Sequence, residues 1–174
     1  SSRAGQNVRH IGEDIAKDST VLSAGSIVGA AQMGVLASLG IASLQIRRRL
    51  RVAVFSSGDE IRSIGETLDG SQIYDSNRYT ITSLLKNLGV EVIDLGVVAD
   101  TEADIQQTLK DAAVEADMII TSGGVSVGDA DYIKQALEAN GEMYFSKLHL
   151  KPGRPLTFGR VNQTVFFGLP GNPV

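Results

Sequence analysis

The chain has 174 residues, of which 43% are hydrophobic and 21% charged, with a formal net charge of −4; this is the composition of an ordinary globular protein and excludes disordered and collagen-like classes. The length suits one well-buried core with a minor flanking segment, and the negative balance argues against a nucleic-acid surface, which needs a concentrated basic stripe. The absence of cysteine removes disulfides, thiolate metal sites and a cysteine nucleophile, and suits a cytoplasmic protein.

Residues 1 to 48 differ in texture from the rest: loop-forming polar residues, a Gly12-Glu13-Asp14-Ile15 run and a helical pattern from Ala30 to about Leu39 that Gly40 ends. The apolar run Ile41 to Ile46 reads as an extended segment, and Arg47, Arg48, Arg49 and Arg51 as a solvated connector. This stretch is expected to be part of a separate, incomplete domain. The small-residue run Ile27 to Ile41 is too short for a bilayer, which needs about 20 apolar residues, so no membrane span is expected. A first residue Ser1 rather than Met, and an end at Val174 directly after a Gly-Asn-Pro turn, suggest a piece of a longer chain.

From residue 49 to 174 apolar runs of strand length alternate with amphipathic helices, the pattern of an α/β fold with a mostly parallel sheet covered by helices on both faces. The first strand is Arg51 to Phe55. Asp75-Ser76 offers an N-cap for a helix carrying Ile81, Leu84, Leu85 and Leu88 on one face. A strand from Glu91 to Leu95 follows, then a helix capped by Asp100 or Thr101 with Ile105, Leu109, Ala112 and Ala113 at helical spacing. The next strand is Asp117 to Thr121. After a glycine-rich segment, a helix from Asp131 to Ala139 is stopped by Asn140-Gly141, and extended runs at Met143 to Leu150 and Thr164 to Phe167 complete an order βαβαβαββ.

In an open α/β sheet ligands bind beyond the carboxyl ends of the strands. The loops at those ends carry Ser57-Gly58-Asp59-Glu60, Asp100, Ser122-Gly123-Gly124, Gly128-Asp129-Ala130-Asp131 and Pro170-Gly171-Asn172-Pro173. Without a Cβ, Gly123 and Gly124 would let backbone N–H groups approach an anion. Crowded carboxylates raise one another's pKa unless a cation compensates, and a hard cation such as Mg²⁺ would do so. Each acid also has a plainer use: Asp100 as a helix cap, Asp131 as a partner of a helix dipole, Asp59 as a turn former. Lys147 and Lys151, four apart on an extended run, would point to one face and could meet a phosphate together; His149 would point away.

The runs Gly12-Glu13-Asp14-Ile15, Ser57-Gly58-Asp59-Glu60-Ile61, Ile73-Tyr74-Asp75-Ser76-Asn77, Ser122 to Tyr132, Leu150-Lys151-Pro152-Gly153-Arg154-Pro155 and Gly168 to Val174 resemble, in order and spacing, the molybdopterin molybdenumtransferase family (MoeA and the gephyrin E domain). The resemblance implies a MoaB/Mog-like molybdopterin-binding domain that takes adenylylated molybdopterin and molybdate, releases AMP with Mg²⁺ and leaves molybdenum on the dithiolene. It places the essential glutamate at Glu60 and further acidic site positions at Asp14, Asp100 and Asp131; on chemical grounds Glu60 and Asp100 are expected to organise the metal or polarise a reacting oxygen. The site lysines match Lys147 and Lys151, the loop prolines Pro170 and Pro173. A cytoplasmic homodimer completing the site across its interface, supplied by a molybdopterin adenylyltransferase, is implied as well. The isolated chain is then expected to bind poorly or be inactive. The sheet and its Gly-Asp-Glu and Ser-Gly-Gly motifs also resemble molybdopterin adenylyltransferases and CinA-like nucleotide hydrolases, and the gephyrin branch allows a scaffold module.

Overall fold

The computed structural model describes residues 3–124, 132–145 and 156–172. It divides into two compact units, Ser1–Arg47 and Arg48–Val174. The first unit is mostly turns around one helix, α1 (Ala30–Ser38), whose Leu36 is buried. Ile41 to Ile46 pairs into no strand.

The second unit is built on a six-stranded sheet. Its strands are β1 (Arg51–Ser57), β4 (Glu91–Val98), β5 (Met118–Ser122), β6 (Gly141–Phe145), β7 (Thr157–Val161) and β8 (Thr164–Leu169), in the spatial order β4-β1-β5-β8-β7-β6. Strands β4, β1, β5 and β8 are parallel, and β7 and β6 extend the sheet antiparallel. A small parallel pair, β2 (Ile61–Arg62) and β3 (Ile73–Tyr74), lies in the connection leaving β1. Helices α2 (Asn77–Asn87), α3 (Glu102–Glu115) and α4 (Tyr132–Asn140) complete it. No helix among the described residues is long and apolar enough to cross a membrane.

Alternation along β1 explains the layering. Ala53 and Phe55 join Ile119, Val161 and Phe166 in one core with Ile105, Leu109 and Ala112 of α3 and Ile133, Ala136 and Leu137 of α4. Each large apolar side chain so buried contributes about 1.5–3 kcal/mol. Val52, Val54 and Ser56 alternate with these and turn to the opposite face, and α2 packs on β1, β4 and β5.

Helix α2 does not bury the expected face. Leu84 and Leu88 are 60% and 77% exposed, while Arg78 and Thr82 are buried. The Arg78 guanidinium explains the rotation: its Nε donates to Asp75 Oδ2 at 2.9 Å, one terminal nitrogen to Asp94 Oδ1 at 2.5 Å and the other to Ser63 Oγ at 3.0 Å. Asp75 also accepts the Arg78 backbone N–H at 3.0 Å, so it closes the helix start that the Ser76 side chain leaves uncapped. A buried arginine is tolerable only with such partners.

Three further differences follow from pairings that short-range pattern does not reveal. Strand β4 runs to Val98 rather than Leu95, because a bulge between Asp94 and Val97, where Asp94 Oδ1 accepts Gly96 N–H at 3.0 Å, lets the strand continue beside Ser56 and Ser57. The run from Thr157 to Phe167 is a hairpin, β7 and β8 joined at Asn162-Gln163, so β7 was missing from the expected order. Arg48 is no free connector: both its terminal nitrogens donate to Asp117, each at 2.6 Å.

Candidate functional site

The four parallel strands end side by side. Ser57 is in register with Val98, Ser56 with Ser122, and Ser122 with Leu169, so the loops after β1, β4, β5 and β8 leave one carboxyl edge. Side chains at this edge are divided between the two faces by strand alternation. Ser57 follows Phe55 toward α3, and its hydroxyl donates to Asp100 Oδ1 at 3.0 Å. Ser122 pairs with Ser56 on the α2 side and accepts from Asn77 Nδ2 at 2.8 Å.

Asp100 is half-buried and does not cap α3. Thr101 does, accepting Asp104 N–H at 3.2 Å and donating to the Asp104 carboxylate at 2.6 Å. One Asp100 oxygen takes the Ser57 proton, which orients the carboxylate at the strand ends. Asp59 and Glu60 occupy the corner of a turn closed by the Ile61 N–H donating to Gly58 O at 3.0 Å. Both side chains are exposed, with no hydrogen-bond or ion-pair partner among the described residues. Glu60 folds back over Gly58: a Cβ there would lie 2.9 Å from Glu60 Oε2, and Gly58 has φ +151°. The turn is held from behind where Ile73 N–H donates to Glu60 O at 2.8 Å and Asp75 N–H to Arg62 O at 2.9 Å.

The Ser122-Gly123-Gly124 turn is glycine-rich for a reason additional to anion binding. At φ +86°, a Cβ on Gly123 would collide with the Ser57 carbonyl oxygen, so β1 and the turn touch backbone to backbone. The Gly123 N–H donates to Leu169 O at 3.1 Å, leaving Gly124 as the amide of the pair with no hydrogen-bond partner to displace among the described residues. A Cβ on Gly124 would meet Ile133 Cδ1 at 2.7 Å. Gly171 lies against Gly123, its hypothetical Cβ 3.5 Å from Gly123 Cα, and its carbonyl accepts from Asn77 at 2.8 Å; Pro170 is half-buried, Gly171 and Asn172 exposed.

The structure therefore brings together Ser57, Asp100, Ser122, Gly123, Gly124 and Gly171, with Gly58, Asp59 and Glu60 on the adjoining turn. Asp14 belongs to the first unit, where it is exposed and paired with Arg9. Gly128, Asp129, Asp131, Lys147, His149, Lys151 and Pro173 lie outside the described residues. Among the described residues no group of three or more His, Asp or Glu could hold a metal ion. Asn77 and Arg78 were missed as organisers of this edge. The signal was an Asp-x-x-Arg pair at 75 and 78 with a second acid, Asp94, inside an apolar strand.

Residues 53–174 match the family described as "Probable molybdopterin binding domain", and residues 1–40 match the "MoeA N-terminal region (domain I and II)". A molybdopterin molybdenumtransferase of Haemophilus influenzae is 48% identical over 97% of this chain and 42% of its own length. A solved molybdopterin biosynthesis MoeA protein from Pyrococcus horikosii superposes with a TM-score of 0.80 at 32% identity, over 93% of this chain and 40% of that one. A molybdopterin biosynthesis protein from Mycobacterium abscessus shares the fold, with a TM-score of 0.51 at 18% identity over 70% of this chain and 81% of that one. This chain thus spans about two fifths of the length of the molybdenumtransferase that it matches. With its second unit matched almost throughout and the start of the chain matched separately, the chain belongs to the molybdopterin molybdenumtransferase family, and its α/β unit is that family's molybdopterin-binding domain.

Proposed function

We propose that the carboxyl edge of the sheet binds adenylylated molybdopterin, and that the longer protein containing this chain inserts molybdenum from molybdate with release of AMP, in molybdenum cofactor biosynthesis. The observation that carries the reading is the union at one edge of a backbone turn at Gly123-Gly124, an oriented carboxylate on Asp100 and the uncommitted carboxylates of Asp59 and Glu60. A nucleotide and molybdate are both anions, so such a site needs cations against its own acids. Mg²⁺ would be held by Glu60 and Asp100, where it would neutralise phosphate charge; Lys147 and Lys151 would supply the remaining positive charge.

In this assignment Glu60 polarises a reacting oxygen or holds the metal, and Asp100, oriented by Ser57, assists it. Asp14 and Asp131 are the further acidic positions, with Gly128, Asp129, Pro170, Asn172 and Pro173 as further substrate contacts. Residues 49–174 form the binding domain and 1–48 part of another. The working protein is a cytoplasmic homodimer that receives its substrate from a molybdopterin adenylyltransferase, and the isolated chain binds substrate more readily than it turns it over.

The test is AMP release from adenylylated molybdopterin with Mg²⁺ and molybdate by the full-length protein and its Glu60→Gln variant. Loss of a charged group acting on the reacting atoms typically costs about 10²- to 10⁴-fold, and that loss is expected. Unchanged release would remove Glu60 from the mechanism.

A further inference from the structure

Strand pairing between β5 and β8 ends at Ser122 and Leu169. Beyond that point the ladder no longer fixes the loop 170–172 against the turn 122–124, although Gly171 lies against Gly123. One side chain spans both: Asn77 Nδ2 donates one hydrogen to Ser122 Oγ and the other to Gly171 O, each at 2.8 Å. An amide suits the arrangement, because its one nitrogen carries two hydrogens and can serve a hydroxyl and a carbonyl at once. Asn77 is the first residue of α2, and the next residue, Arg78, is anchored in the buried pair with Asp75. The donor is thus carried by a rigid element whose own orientation is fixed from behind, the arrangement that holds a binding site to close tolerance.

We propose that Asn77 is a positioning residue for nucleotide binding: it sets the separation of the 122–124 turn and the 170–172 loop, between which the anionic part of the substrate is received. The proposal rests on the reading of this edge as the molybdopterin-nucleotide site.

Asn77→Asp separates the two contacts with almost no change of volume. The Ser122 hydroxyl can reverse and donate to the carboxylate, whereas the Gly171 carbonyl meets a negative oxygen, so only the 170–172 loop is released. Nitrogen-15 relaxation of the 174-residue chain without ligand should then show reduced backbone order at Gly171 and Asn172, with Ser122 and Leu169 unchanged. Calorimetric titration of the full-length protein with adenylylated molybdopterin should show affinity weakened about tenfold, the size expected for a lost hydrogen bond and a misplaced loop, at an unchanged unfolding midpoint. Asn77→Ser, which loses both contacts without adding charge, should loosen Gly171 as well and guards against a folding defect caused by the added carboxylate alone.

Unaltered order at Gly171 in both variants would overturn the proposed tie. A loosened loop with unaltered affinity would overturn its role in binding. Should the unsubstituted full-length protein fail to bind the nucleotide, the functional reading falls and the ligand half of the proposal with it, while the relaxation result still decides whether Asn77 holds the loop.

Discussion

At the amino edge of the sheet the charges satisfy one another. Arg48 grips Asp117 through two hydrogen bonds of 2.6 Å, Asp117 also accepts the Arg51 N–H at 2.8 Å, and Arg51 reaches Glu91 at 3.4 Å. At the carboxyl edge, at the far end of the same strands, Asp59 and Glu60 have no such partner among the described residues, and Asp100 has a hydroxyl rather than a cation. Acids of the first kind are used within the fold. Acids of the second kind have no counter-charge within the described fold, which leaves their oxygens available to a hard cation or a ligand donor. Beneath the carboxyl edge the backbone is committed, as the approach of Gly123 to Ser57 demonstrates.

The largest effect expected is at the buried ion pair of Arg78 and Asp75. Arg78→Met leaves Asp75, whose side chain is only 2% exposed, without its partner, and urea denaturation should show a loss of about 3–5 kcal/mol. Next, Gly123→Ala should cost about 1–3 kcal/mol from backbone conformation alone, and more because the Ser57 carbonyl must move; a neutral result would break the claim that the carboxyl edge is rigid beneath its charges.

A smaller effect belongs to the amino edge. The Arg48 guanidinium, helped by the Arg51 N–H, holds the Asp117 carboxyl well below the usual carboxylate range. A lowered folded-state pKa contributes stability above the unfolded value, about 3.9, that is lost as pH falls below it. Asp117→Asn should therefore lower the melting midpoint at neutral pH, with the deficit shrinking as wild type and variant are compared at progressively more acidic pH. The smallest effect is expected for Glu60→Gln, with folding stability within about 0.5 kcal/mol of wild type; a large loss would place Glu60 among the structural acids and erase the contrast between the edges.

Sequence pattern reached the parts of the fold that depend on local periodicity. Ile105, Leu109 and Ala112 line the buried face of α3 as their spacing requires, and the glycine- and acid-bearing loops do leave one edge. What escaped were choices settled by long-range partners. Asp100 and Thr101 can both cap a helix, and only the Ser57 hydroxyl on β1 draws Asp100 away from that role. In α2 the leucines promised a buried stripe, but Asp75 and Asp94 turn Arg78 inward instead. The β4 bulge and strand β7 were hidden because Gly96 and Gly159 interrupt the alternation that marks a strand. The chemistry of the site was legible chiefly through ordered motifs that resemble a family, since single carboxylates and glycines each have structural uses.

The most direct test asks whether the carboxyl edge is the ligand edge. Adenylylated molybdopterin titrated into the nitrogen-15-labelled chain, with Mg²⁺ present, should shift the backbone amides of Gly58, Asp59, Glu60, Asp100, Gly123, Gly124 and Gly171 and leave those of Arg51, Glu91 and Asp117 in place. Shifts concentrated at Arg51, Glu91 and Asp117, or saturating binding that leaves Glu60 and Gly124 undisturbed, would contradict it.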